Sequence, residues 1–146
     1  MQEHNFNPAE IDDVDQLLGE GESRVKASLM MYSCLGPTSP PPEAYYERAF
    51  RLGVSDPIKE HDARYTLGIF LATCHRREDA LPHIRRAVEL NPNDYRTRFV
   101  MGKLYEDSGR FEGASNEFFA ASSMASPFTM QKYKALLKAV SNYLKS

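Results

Sequence analysis

Residues 61–94 read HDARYTLGIFLATCHRREDALPHIRRAVELNPND, and residues 95–128 read YRTRFVMGKLYEDSGRFEGASNEFFAASSMASPF. The two stretches align without a gap when the chain is shifted by 34 residues. A fixed period of this length indicates two copies of one structural unit. The small residues that coincide are Gly68 with Gly102, Ala80 with Ala114, and Ala87 with Ala121.

Each unit predicts a pair of helices, because its apolar residues recur twice at helical spacing with a short polar break between. In the first unit the second stripe begins at Ala80 and ends at Asn91-Pro92, where proline disfavours further helix. The first stripe of that unit, at spacing i, i+3, i+4 and i+7, consists of Leu67, Phe70, Leu71 and Cys74.

The flanking sequence also predicts helices, so we expect one all-α domain over residues 1–146 with about eight helices and no strand. Asn7 is expected to cap the first helix, and Gly19 to end it. The helices expected outside the two clear units span residues 7–19, 22–34, 43–52 and 127–145. On the last of them one apolar face is predicted from Tyr133, Leu137, Val140 and Leu144.

The two units resemble the tetratricopeptide repeat (TPR) family. The matching residues of the second unit are Gly102, Tyr105, Ala114, Phe118 and Ala121, while Arg98 and Ser126 depart from the pattern. A degenerate earlier repeat is expected over 23–56, where Tyr46 and Ala49 fit the pattern. The resemblance implies a right-handed solenoid of antiparallel helix hairpins, with clear repeats over 61–94 and 95–128 and a capping helix over 127–145.

The resemblance also implies a function, because the first helices of TPR units line a concave groove that binds partner segments. In that groove we expect aromatic, aliphatic and cationic side chains, which are common anchors at interfaces. The predicted partner-binding residues are Tyr65, Ile69, Arg96, Phe99 and Lys103. Tyr65 and Ile69 do not match the Lys and Asn of the clamp with which chaperone-binding TPR domains hold a C-terminal carboxylate.

We therefore predict a non-catalytic interaction module, an adaptor or scaffold for a protein or peptide partner. Two alternatives stay open: a small dedicated chaperone for a client protein, and a fixed structural subunit of a larger assembly. We expect no enzyme activity, because no nucleophile setting or phosphate loop is present. We expect no cofactor and no metal, since the spacing of Cys74-His75, His83 and His61 fits no standard zinc site.

Charge and cysteine content set the remaining expectations. The net charge is −2, which does not favour nucleic-acid binding, and no apolar run is long enough to insert in a membrane. Residues 1–22 hold seven acids and no Lys or Arg, whereas residues 127–146 hold four lysines and no acid. Self-association through these oppositely charged ends is one interpretation, and solvated helix faces are the other. We expect Cys34 and Cys74 to be reduced and the protein to be cytoplasmic.

Overall fold

The computed structural model describes residues 7–30, 40–125 and 130–146, and within them it contains seven α-helices and no strand. A short 3-10 helix, Pro8–Glu10, precedes the first α-helix. The α-helices are α1 Val14–Met30, α2 Pro42–Leu52, α3 Pro57–Thr73, α4 Arg77–Leu90, α5 Tyr95–Asp107, α6 Phe111–Met124 and α7 Met130–Lys145. The predicted all-α class is confirmed, and none of the described helices is both long and apolar enough to cross a membrane.

The ends of the central helices follow from local side-chain chemistry. Asp56 and Asp94 cap α3 and α5, their carboxylates accepting hydrogen bonds from the backbone N–H groups of Ile58 and Arg96 at 2.9 and 3.0 Å. The turn after α5 passes through Gly109 at a φ of 73°, and the turn after α3 passes through His75 at 60°. The two turns are equivalent, but His75 adopts a left-handed conformation that glycine tolerates better.

The helices pair into three antiparallel hairpins, α1–α2, α3–α4 and α5–α6, each with a glycine at its crossing. A Cβ atom on Gly102 would lie 2.7 Å from Cε1 of Phe118, and one on Gly21 would lie 2.8 Å from Cε2 of Tyr46. At Gly68 an added Cβ would clash with Ile84 in the same way. The close approach of the two helices therefore requires glycine at all three crossings.

The predicted N-terminal helix over 7–19 is wrong, as is the separate helix over 22–34. A single helix, α1, runs through Gly19 and Gly21, and only a 3-10 turn precedes it. Gly21 does not end a helix: it allows α1 to approach Tyr46.

This glycine also changes the register of the first repeat. Gly68 and Ile84 are 16 residues apart, as are Gly102 and Phe118, whereas Gly21 and Tyr46 are 25 apart. The connection in the first hairpin is thus nine residues longer. The bounds 23–56 stay a prediction, and this register favours a start at Val14 instead of Ser23.

Two core clusters fill the N-terminal and central hairpins, and a third joins α6 to α7. The third contains Ala114, Phe118 and Ala139. Among the side chains of α7 that the structure describes, the buried ones are Ala135, Ala139 and Asn142. The predicted apolar face of the last helix is therefore its exposed face, since Leu137, Val140 and Leu144 are at least half exposed. The side chain of Tyr133 and residues 127–129 lie outside the description.

Cys74 corrects a second expectation. It packs against the core cluster around Leu71 and is disulfide-bonded, so the predicted free thiol at this position is wrong. The other half of that prediction, Cys34, lies outside the described residues. A cysteine at the end of an apolar stripe does not reveal its bonding state from spacing alone.

Candidate functional site

An open groove of about 680 Å³ lies between α1 and α3 and extends to the start of α5. We call it the concave groove. Its floor is apolar and aromatic, and its rim carries charges of both signs. The groove is lined by Asp15, Leu18, Gly19, Glu22, Tyr46, Lys59, Asp62, Ala63, Tyr65, Thr66 and Arg96.

Tyr65 and Arg96 meet across α3 and α5 at one end of this groove. The Arg96 guanidinium lies 5.8 Å from the centre of the Tyr65 ring, within the range of a cation–π contact. Nε and Nη2 of Arg96 each donate to the Asp94 carboxylate at 3.2 Å, and this hydrogen bonding raises the pKa of Arg96. Burial raises the pKa of the Tyr65 phenol, which therefore stays a neutral donor and acceptor at physiological pH.

A buried polar cluster behind Tyr65 fixes α3 against α5. Nε2 of His61 lies 3.3 Å from the Thr97 hydroxyl and 3.5 Å from the Asp94 carboxylate, and Nδ1 lies 3.1 Å from Asp62. The His61 ring stacks nearly parallel on Tyr65, with ring centres 6.5 Å apart. Because His61 and Thr97 are almost fully buried, these contacts position the Tyr65 ring and the start of α5.

The rim of the groove near α1 is held by ion pairs. The Lys59 ammonium donates to Asp15 at 2.8 Å, which ties the first turn of α3 to α1. Glu22 is paired with Lys26 at 2.7 Å on the same helix. The Asp62 side chain is 69% exposed and contacts only the His61 ring among the described residues. Asp62 is therefore the carboxylate that a bound cation could reach at the lowest desolvation cost.

The five predicted partner-binding residues fall into two groups. Tyr65 and Arg96 line the concave groove together, and Ile69 lies half-buried one turn after Tyr65. Phe99 packs edge-on against Phe118 with ring centres 5.1 Å apart, so its ring belongs partly to the core.

Lys103 belongs with Phe99 outside the groove lining, and it is already paired. Its ammonium donates to Glu106 at 2.7 Å and to Asp107 at 3.4 Å. The hydrogen bond to Glu106 raises the pKa of Lys103. An acidic ligand at Lys103 would have to compete with these two carboxylates.

Several groove residues escaped the sequence analysis because α1 was divided there into two helices. Asp15, Leu18 and Glu22 face the groove from α1, and Lys59 faces it from the extra first turn of α3. The signal that could have found them is Gly21: aligned with Gly68 and Gly102, it places these α1 residues at groove positions.

The charged ends of the chain differ in how their charges are neutralised. In the described part of the N-terminal segment, Asp12 pairs with Arg48 and Asp15 with Lys59, both at 2.8 Å. On α7 the ammonium of Lys138 reaches Glu106 at 3.3 Å, while Lys132, Lys134 and Lys145 have no carboxylate partner among the described residues.

The histidines that the structure describes and Cys74 do not lie together in one site. His83 stacks against Phe50 and contacts Arg64, whereas His61 lies at the α3–α5 contact. Burial lowers the pKa of His83, and the neighbouring Arg64 lowers it further. In the part of the chain that the structure describes, no three His, Cys, Asp or Glu side chains are grouped as a metal site requires.

Comparison with known proteins identifies the fold. No protein-family model and no curated protein matches the sequence. Among solved structures, the chain is similar to the crystal structure of YrrB, described as a TPR protein with an unusual peptide-binding site. The two share 22% sequence identity at a TM-score of 0.65, over 90% of this chain and 69% of that one. The chain therefore has a TPR-like fold, a solenoid of helical repeats, as the resemblance implied.

Proposed function

We propose that the chain is a non-catalytic interaction module that binds a segment of a partner protein in the concave groove. The observation that carries the proposal is the pair Tyr65 and Arg96, an aromatic ring and a half-exposed cation held together at the end of an open groove. Groove-bound peptides are a recurrent use of helical folds. The peptide-binding site described for YrrB supports the same interpretation.

Arg96 also suggests how a bound segment is held. Two of its nitrogens are used by Asp94, and Nη1 has no acceptor among the described residues. A backbone carbonyl of the bound segment can accept from Nη1 without displacing Asp94. A basic side chain of the segment would reach the exposed Asp62 carboxylate. The expected ligand is thus an extended segment with an apolar residue against Tyr65 and a basic residue near Asp62.

The test selects a ligand and then removes the groove anchors one at a time. A phage-displayed library of random peptides is selected on the full chain, and the Kd of the best synthetic peptide is measured by fluorescence anisotropy. We expect Arg96→Ala to weaken binding by about 1–2 kcal/mol and Tyr65→Ala by about 2 kcal/mol, because both side chains line the groove. We expect Lys103→Glu to slow association and to change its salt dependence.

Two controls separate binding from stability. Arg85→Ala removes an exposed arginine from the outer helix α4 and is expected to leave the Kd unchanged. Because Tyr65 stacks on the buried His61 ring, the thermal midpoint of the Tyr65→Ala variant is also measured, and its binding is measured well below that midpoint. Full binding by the double variant Tyr65→Ala, Arg96→Ala would contradict a partner site in the groove.

A fixed structural subunit is the second candidate, favoured by one observation. The last helix exposes large apolar side chains, which a permanent neighbour would cover. Sedimentation of the isolated chain distinguishes the two, because a permanent subunit is expected to aggregate alone. A dedicated chaperone would hold its client in the same groove, and the same groove variants test it. Reduced cysteines were one reason to predict a cytoplasmic location, and this reason no longer holds because Cys74 is disulfide-bonded.

A further inference from the structure

We propose that the exposed apolar face of α7 is a second docking site, which binds an amphipathic helix of a partner protein with acidic residues beside its apolar stripe. This α7 face consists of Leu136, Leu137, Val140, Tyr143 and Leu144. Leu137, Tyr143 and Leu144 are 70%, 70% and 77% exposed. The site is separate from the concave groove and does not depend on it.

The spacing of the α7 face matches a helical partner. Leu137, Val140 and Leu144 follow one another at three and four residues, so they form one continuous stripe along α7. Beside this stripe an apolar groove of about 350 Å³ runs between α6 and α7, bordered by Phe119 and Tyr143. A groove between two helices accepts the ridge of a third helix, whereas a flat bilayer surface leaves it unfilled.

The charge of α7 specifies the partner. The helix contains no acidic residue, and on the helical wheel Lys134, Lys138 and Lys145 lie together at one edge of the apolar stripe. Lys134 and Lys145 are exposed and lack a carboxylate among the described residues, while Lys138 is paired with Glu106. A partner helix with glutamates or aspartates at this edge would supply the missing negative charges.

A second copy of the chain fits this face less well. Two α7 helices packed antiparallel about a two-fold axis place their lysine edges on the same side, which brings like charges together. Packed parallel, neither lysine edge meets a carboxylate of the other α7, because this helix contains no acid. The acidic N-terminal segment is no better as a partner, since Asp12 and Asp15 already pair with Arg48 and Lys59.

The experiment uses two synthetic helical peptides of about 18 residues, or about five turns. Both carry the same leucine stripe; one has glutamates beside it and the other lysines. Anisotropy titrations against the full chain are expected to give at least about tenfold tighter binding of the glutamate peptide, with a smaller difference at high salt.

Matched variants locate the site. Because Leu137 and Leu144 are exposed, the double variant Leu137→Ser, Leu144→Ser is expected to fold and to bind at least about tenfold more weakly. Ile58→Ser removes an equally exposed residue, 72% accessible, from α3 and is expected to change nothing. The swap Lys134→Glu with Lys145→Glu is expected to reverse the preference towards the lysine peptide.

Three results would overturn this proposal. If neither peptide binds, or if both bind equally well, the α7 face does not select an acidic amphipathic helix. A dimer that light scattering detects in the wild type and not in the Leu137→Ser, Leu144→Ser variant assigns the face to a second copy. Co-sedimentation with phosphatidylcholine–phosphatidylserine vesicles, lost in the same variant and without peptide binding, assigns it to a membrane surface. Arg96→Ala should keep full binding of the glutamate peptide, which separates this proposal from the concave groove.

Discussion

The central hairpins and the last helix both pack through small residues at the helix contact, but they bury different shares of their surfaces. In α5–α6 the glycine of one helix receives the ring of Phe118 from the other, and in α6–α7 the small side chain of Ala139 joins the same ring cluster. The first helix of a central hairpin is buried along several rows of side chains. The described side chains of α7 are buried along one row, formed by Ala135, Ala139 and Asn142. Small residues therefore determine where neighbouring helices pack against each other. The large apolar residues of the α7 face do not take part in this packing and remain on the surface.

The largest expected effect is at a hairpin crossing. Gly102→Leu would push a branched side chain into the Phe118 ring, from which even a Cβ atom is separated by only 2.7 Å. We expect a loss of about 3 kcal/mol in the free energy of unfolding, measured by urea denaturation. The double variant Gly102→Leu, Phe118→Ala is expected to lose less than the sum of the two single variants, because both substitutions act on the same space.

Gly19→Leu is the matched control for this prediction. Gly19 is an exposed helical glycine with nothing within 4 Å of an added Cβ, so leucine there should be neutral or stabilising by up to about 1 kcal/mol. Equal effects of Gly102→Leu and Gly19→Leu would mean that α5 and α6 do not cross at Gly102.

The period of the sequence was enough to predict the two central hairpins but not the first. Gly68 and Gly102 are 34 residues apart, and this repetition identified both as crossing residues. Gly21 lies outside that period because the connection after α1 is nine residues longer. With Gly19 two residues away, the sequence alone could not distinguish a glycine that ends a helix from one that faces a neighbouring ring.

The site was predictable where groove positions are set by the repeat, and not where they are set by tertiary contacts. Tyr65 and Arg96 both lie in the groove lining, on the faces of α3 and α5 that the repeat sets, and their role in partner binding stays a prediction. Phe99 lies at the same repeat position as Tyr65, but its side chain packs against Phe118 and so belongs partly to the core. The pairing of Lys103 with Glu106 depends on side-chain conformations, which helical spacing permits but does not fix.

A smaller effect is expected at the polar contact that joins α7 to α5. Burial alone would raise the pKa of Glu106, but hydrogen bonds from Asn142, Lys103 and Lys138 lower it from 4.5 to about 2. Since the pKa is lower in the folded chain, this contribution to stability is present above about pH 4.5 and is lost as the pH falls towards 2. Glu106→Gln is expected to cost about 2 kcal/mol at pH 7, allowing for solvent screening, and nearly nothing at pH 2.

Thermal unfolding at several pH values measures this contribution. Glu112→Gln removes the same charge from an exposed position of α6 and serves as the control. A Glu106→Gln variant whose stability loss is the same at pH 7 and at pH 2.5 would show that the carboxylate charge does not hold α7. The result also distinguishes α7, held by hydrogen bonds and ion pairs at Glu106, from the hairpins, which are held by close packing at glycines.

The smallest expected effect distinguishes two glycines of α1 that are only two residues apart. Alanine has a higher helix propensity than glycine by about 1 kcal/mol, so Gly19→Ala should stabilise the chain by about that amount. At Gly21 the same gain is opposed by the new Cβ, which would lie 2.8 Å from Cε2 of the buried Tyr46 ring. We expect Gly21→Ala to lower the free energy of unfolding by about 1 kcal/mol. Urea denaturation of the two variants measures the difference directly. If both alanines stabilise α1 equally, the first hairpin does not cross at Gly21, and its likeness to the two central crossings is lost.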